Sequence, residues 1–480
     1  MADAEAAARS VAAPPAWTMS ERAARDHIDP MLKRRDLRRA LAAAIQAVRH
    51  LPRSVLLHHQ LGLLAERLVS DDPDRSAYYS KVALVAFERA YRMRPTEPEI
   101  AAGLARTLDR RGDVAAARRV LEPHLAVPLP DHEIVHAFVR IAGRTDEGER
   151  AVALARAALA AEEGKDDIRL LHALARLLDR LGRYEESFAF AARGNAVFAE
   201  QRRPVPGLLT KTVDQMIAAT PRSAMAAAPV ARDRSELPVF IVGMGRSGTT
   251  LVEQIISGHS RAHGSGERRA LTQASVALGK ATGMGYPTGV TKWPLEMVEA
   301  AGATYLRKLA ALAPGATRIA DKLPQNFLRL PIIQRMLPGA RVIHCQRNPI
   351  DLCLSAFYQE DKIPVMETYD LFRAGLAYRE YERLMAHWMK VLDLPILDVR
   401  YESLVAQPEV EARRIIAFLE LPWEESCLDV EGNRRVVDTS NYAAVRGPIH
   451  GGAVDRWKRY RTQLQPLIDA LSGARPAAAP

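Results

Sequence analysis

A chain of 480 residues with 48% hydrophobic content is long enough for two domains and apolar enough to bury an ordinary core in each. Its net charge of +10 favours anionic ligands, but the arginines are dispersed along the chain. Solvated helix faces therefore account for them better than a nucleic-acid surface, and no zinc-finger, RNA-binding or basic-zipper pattern occurs.

Three cysteines, Cys345, Cys353 and Cys427, form no Cys-x-x-Cys pair, which argues against a disulfide framework or a zinc site and points to a reducing, cytoplasmic setting. The first residues, Met1-Ala-Asp-Ala-Glu-Ala, carry acids where a secretory leader needs basic charge. No apolar run approaches the roughly 18 residues of a membrane span, so none is expected. Residues 1–34, alanine-rich with Pro14-Pro15, read as a disordered lead-in.

From 35 to 218 the text is almost pure amphipathic helix, broken at Pro95, Pro98, Pro128 and Pro130. Leu104-Ala-Arg-Thr-Leu-Asp-Arg-Arg-Gly112 returns as Leu174-Ala-Arg-Leu-Leu-Asp-Arg-Leu-Gly182, an offset of 182 − 112 = 70, and Gly148 divides that interval into 36 and 34. These intervals resemble the tetratricopeptide period of about 34, which implies an all-α solenoid able to bind an extended peptide.

Residues 219–236 lose periodicity and read as a linker. From 237 to 475 strands alternate with helices: strands near 238–243, 317–321, 341–346 and 395–400, with helices near 249–258, 267–279, 294–312, 325–336, 349–359, 367–391 and 408–419. That alternation predicts a three-layer α/β domain on a parallel sheet, with ligands at the strands' carboxyl ends.

The second domain is organised around Phe240-Ile-Val-Gly-Met-Gly-Arg246-Ser247-Gly248-Thr249-Thr250, an apolar strand, a glycine-rich turn and a helix start. Backbone amides of such a turn cradle an anion. The spacing fits the P-loop frame except that Thr249 stands where a nucleotide triphosphatase needs lysine, and the nearby cation is Arg246. This favours a phosphosulfate donor over ATP, and no metal is called for. A P-loop nucleotide kinase stays open as an alternative, as does a repeat scaffold with an inert nucleotide fold.

Arg246-Ser-Gly-Thr-Thr250 resembles the 5′-phosphosulfate loop of the sulfotransferase superfamily, most closely its tyrosylprotein branch. The resemblance implies 3′-phosphoadenosine 5′-phosphosulfate as co-substrate and an acceptor bearing a hydroxyl, a protein tyrosine among the candidates. Arg347 and Ser355, after a strand and on the next helix, resemble the pair that clamps the 3′-phosphate. Gly264-Ser-Gly-Glu267 resembles the segment supplying the catalytic base, with His259 and His263 nearby as the alternative base type. Asp321-Lys322 resembles the stretch whose lysine stabilises the transferring group, and Tyr401-Glu402 the segment whose tyrosine packs on adenine. The proline-to-tryptophan interval from Pro448 to Trp457 resembles the last cofactor-binding loop. Gly447 stands there where relatives carry lysine, which makes Arg446 the expected substitute.

Overall fold

The computed structural model describes residues 20–34, 36–71, 75–161, 166–360, 366–430, 449 and 451–473. They divide into two compact units, one up to Arg183 and one from Tyr184 onward.

The first unit is helical: α1 (Glu21–Lys33), α2 (Leu37–His50), α3 (Val55–Asp71), α4 (Ser76–Met93), α5 (Pro98–Arg110), α6 (Val114–Leu121), α7 (His132–Ala142), α8 (Gly148–Ala161) and α9 (Ile168–Arg180). Helix α1 corrects the reading of residues 1–34 as disordered throughout. Ser20 caps it by accepting from the Ala23 amide at 3.2 Å, and Ala24 and Ile28, one turn apart, are buried in the same core as Leu41, Leu57 and Phe87. Residues 1–19 lie outside the described residues. The repeat spacing has a structural counterpart, since Gly112 and Gly182 both turn the chain at positive φ after equivalent helices. Arg106 of α5 reaches Glu66 of α3 at 3.2 Å and Glu133 of α7 at 2.7 Å, so ion pairs tie alternate helices along the stack.

The second unit opens with α10 (Tyr184–Arg202), α11 (Leu208–Ala219) and α12 (Arg222–Ala227), the last falling inside the segment read as linker. There follow β1 (Pro238–Gly243), α13 (Thr249–Ser257), β2 (Ala262–Gly264), α14 (Ala270–Thr282), α15 (Leu295–Ala310), β3 (Arg318–Lys322), α16 (Leu330–Met336) and β4 (Arg341–Gln346). The unit closes with α17 (Pro349–Phe357), α18 (Leu371–Val391), β5 (Ile396–Arg400), α19 (Tyr401–Ala406), α20 (Pro408–Phe418) and α21 (Gln465–Ser472). The five strands lie in the order β2-β3-β1-β4-β5 and every neighbouring pair is parallel.

Every residue of β1 is buried, as the apolar run from Val239 to Val242 requires of a central strand covered on both faces. Val239 and Ile241 join Val252, Ile255 and Ile256 of α13 in one core, while Phe240 packs against Tyr305 of α15 at 5.9 Å on the other. The chain runs from β1 to the far edge, returns to β3, then crosses to β4. The strand order therefore reverses at the carboxyl end of β1, where parallel sheets hold ligands.

Helix α10 belongs to this unit although the repeat pattern runs through it. Phe188 stacks on Phe357 at 5.4 Å, Asn195 Nδ2 donates to the Phe357 carbonyl at 3.1 Å, and Ser187 Oγ donates to Tyr358 Oη at 3.0 Å. Among the described residues no helix is long and apolar enough to cross a membrane.

Candidate active site

The loop after β1 turns through Arg246, whose φ of 78° is costly for a residue with a side chain, and Gly248, at φ 93°. A side chain at Gly248 would stand 2.7 Å from the Tyr401 ring, so backbone and aromatic approach there as only glycine permits. Ser247 is buried and donates to the Met244 carbonyl at 2.8 Å, closing the turn. Helix α13 has Gly248 as N-cap with no capping side chain, and its first backbone bonds reach back to Gly248 from Leu251 and Val252. The amides of Thr249 and Thr250, in the first turn, thus face the loop, with Thr249 buried and Thr250 half-buried.

The strain at Arg246 aims its side chain across to α17, where Nε donates to Ser355 Oγ at 2.9 Å. Ser355 is buried, and Asn348 caps its helix by accepting from the amides of Ile350 and Asp351 at 2.9 and 3.3 Å, with Pro349 in the first helical position. Arg347 donates to the Arg246 carbonyl at 3.1 Å and to the Ala453 carbonyl at 2.6 Å, and its guanidinium lies 4.7 Å from the Tyr401 ring centroid. Burial lowers its pKa from the ordinary arginine value, opposed by Tyr401, Asp351 and Glu402.

Two buried donors here, Arg347 Nε and Trp457 Nε1, have no hydrogen-bond partner among the described residues. An unpaired guanidinium N–H beside an uncapped helix start and a cradle that a Cβ would fill suits a dianionic phosphate.

On the other flank of β1, Lys322 ends β3 and Glu267 follows β2. Lys322 is fully buried and its Nζ donates to Glu267 Oε1 at 2.6 Å, while the Glu267 side chain keeps 39% of its exposure. A buried ammonium beside an accessible carboxylate places a cation and a proton acceptor together at one strand end. Helix α14 begins at Ala270, so Glu267 stands in the loop before it, not in a first helical turn.

His259 does not share this geometry. It is buried, its Nδ1 accepts from the Arg261 amide at 3.0 Å and its Nε2 donates to the Pro422 carbonyl at 2.8 Å, which commits one nitrogen to the loop after α13 and the other to the segment after α20. His263 lies mid-β2, in register with Ile319. Arg446 lies outside the described residues.

Three contributors went unread in the sequence. Strand β2 places Glu267 at a carboxyl end, like the other site residues. Asp351 of α17 is buried and accepts from the amides of Asp455 and Trp457, both at 2.8 Å, which brings Ala453 to Arg347. Burial raises its carboxyl above the ordinary value, with the two amides and Arg347 opposing. Glu253 is the third; its one sequence signal is an acid inside the otherwise apolar stretch Leu251-Val-Glu-Gln-Ile-Ile256.

Residues 238–425 match the sulfotransferase family, and residues 80–138 match the tetratricopeptide repeat. An uncharacterized protein of Aquifex aeolicus (strain VF5) is 34% identical over 247 residues, 49% of this chain and 32% of that one. Cytosolic sulfotransferase 15 of Arabidopsis thaliana is 30% identical over 129 residues, 24% of this chain and 35% of that one. Protein-tyrosine sulfotransferase A of Caenorhabditis elegans is 22% identical over 211 residues, 40% and 52% of the two chains. The chain thus spans from about a third to about half of these relatives' lengths. The parallel sheet and the strand-end loop of the second unit thus lie in the stretch that matches the sulfotransferase family, and the stretch that matches the tetratricopeptide repeat precedes it in the chain.

Proposed function

We propose that the chain transfers a sulfuryl group from 3′-phosphoadenosine 5′-phosphosulfate to an acceptor hydroxyl. The observation that carries this reading is the pairing of Lys322 with Glu267 at 2.6 Å beside a phosphate loop that has threonine where a kinase needs lysine. Arg246, Ser247, Gly248, Thr249 and Thr250 form the cradle for the donor's 5′ end. Arg347 and Ser355 hold its 3′-phosphate, and Tyr401 borders the adenine side.

Glu267 takes the acceptor proton as the acceptor oxygen bonds to sulfur and the sulfur–phosphate oxygen bond breaks. Lys322 and Arg246 stabilise the charge left on the phosphate, so positioning and electrostatics carry the rate, as in phosphoryl transfer. Protein tyrosine is one acceptor this reading admits, with the repeats recruiting the polypeptide. A reducing, cytoplasmic setting fits Cys345, Cys353 and Cys427, all free and buried.

Incubating the purified full chain with donor labelled in its sulfur and a fractionated cell extract tests the proposal. Label should appear in a specific acceptor, without dependence on added Mg²⁺. Protein that binds the donor yet labels nothing in any fraction would mark an inert nucleotide fold.

A further inference from the structure

Glu253 sits on α13 between residues that form the sheet core, and only 5% of its surface is exposed. An ordinary core helix would carry an apolar residue there, because a buried carboxylate is costly unless it is hydrogen-bonded. Its Oε1 accepts from the Gly266 amide at 2.7 Å. Gly266 has positive φ, 77°, and immediately precedes Glu267.

The rest of that loop is pinned to β3. Ser265 donates to the Ala320 carbonyl through its amide at 2.7 Å and its hydroxyl at 2.8 Å, and the Lys322 amide donates to the Gly266 carbonyl at 3.1 Å. The Gly266 residue is therefore gripped on both sides, by Glu253 through its N–H and by β3 through its C=O. Glu253 lies one helical turn beyond Thr249, so the same helix carries the phosphate cradle at its start and the anchor of the Glu267 loop one turn later.

We propose that Glu253 is a positioning residue for the reaction: it fixes Glu267 at the height of Lys322 and couples that placement to the helix that receives the donor. This rests on the reading of Glu267 as the base. Its effect on Glu267 passes through the Gly266 amide.

The test compares Glu253→Leu, Glu253→Gln, Glu267→Gln and the Glu253→Leu/Glu267→Gln double variant of the full chain. Turnover is followed as label incorporation into the extract fraction that wild type labels best, alongside affinity for adenosine 3′,5′-bisphosphate. Leucine removes the acceptor that fixes the loop, so kcat should fall roughly 10²-fold, the scale of a misplaced catalytic group, while bisphosphate affinity holds. Glutamine keeps an oxygen able to accept from Gly266 and should restore most of the rate. Because Glu253 acts through Glu267, the double variant should be no slower than Glu267→Gln alone.

Any of three results overturns the assignment: a leucine variant with wild-type kcat, single losses that multiply in the double variant, or a leucine variant whose bisphosphate affinity falls with its rate, which would make Glu253 a brace of the cradle instead. Near-wild-type turnover by Glu267→Gln sinks the base itself and is read from that variant alone.

Discussion

The two flanks of β1 solve different problems with different materials. On the β4 side the groups are held by backbone: Arg347 is fixed by two carbonyls, Ser355 by a capped helix, and the cradle by a loop whose shape needs Gly248 and a strained Arg246. On the β3 side one side-chain pair, Lys322 and Glu267, stands at the end of a buried strand and a short edge strand. In the proposed function the first side anchors the donor through several groups, whereas on the second the cation and the proton acceptor meet in one ion pair. A change on the first flank should weaken donor binding in proportion to the strength of the bond it removes, and a change on the second should leave binding intact and remove turnover.

Losing α10 is the most severe way to break this division. A chain beginning near Ser235 exposes the face formed by Phe357, Tyr358 and Tyr460, each 4% exposed or less. At roughly 1.5–3 kcal/mol for each apolar side chain returned to water, that approaches the whole margin of about 5–15 kcal/mol of a typical domain. Such a chain should fail to fold or to bind the bisphosphate, whereas one beginning at Tyr184 keeps both. Circular dichroism and bisphosphate titration of the two decide it, and equal binding by both would show that α10 is dispensable.

Glu267→Gln comes next. It preserves an oxygen acceptor for the buried Lys322 ammonium and so keeps the hydrogen bond, while removing the counter-charge. Turnover should fall by roughly 10²–10⁴ while bisphosphate affinity is unchanged. With a phenolic acceptor the deficit should shrink as pH approaches about 10, where the phenol ionises unaided, and with an aliphatic alcohol it should persist. A deficit in binding equal to that in rate would erase the distinction between the flanks.

On the anchoring side, Arg347→Ala removes charge-assisted bonds with a net value of about 1.5–3 kcal/mol, a loss of roughly 10- to 100-fold in bisphosphate affinity. Ser355→Ala removes one hydroxyl but leaves the Arg347 charge in place, so it should cost less than Arg347→Ala, about 10-fold at most, read by the same titration.

Much of the anchoring flank was legible in the sequence, and less of the chemical one. Gly-rich turns, an Asn-Pro helix start and apolar strand runs carry their own conformational requirements, so β1, β4 and the residues after them could be placed without a structure. Strand β2 could not: Ala262-His-Gly264 has no β-branched residue, and its strand form shows in its pairing with β3. Helix α1 was hidden by an alanine-rich context and by Pro30 within it, and declares itself through the core that Ala24 and Ile28 enter. The membership of α10 was equally hidden, since an amphipathic helix shows the same stripe whichever neighbour covers it.

The most direct measurement is a calorimetric titration of the full chain with adenosine 3′,5′-bisphosphate in the presence of a metal chelator, repeated with Arg347→Ala and with ATP plus Mg²⁺. A sulfotransferase donor site predicts saturable, metal-independent binding of the bisphosphate that weakens in the variant, with ATP bound more weakly and without need of Mg²⁺. Tighter, Mg²⁺-dependent binding of ATP would contradict the donor assignment and restore the P-loop kinase.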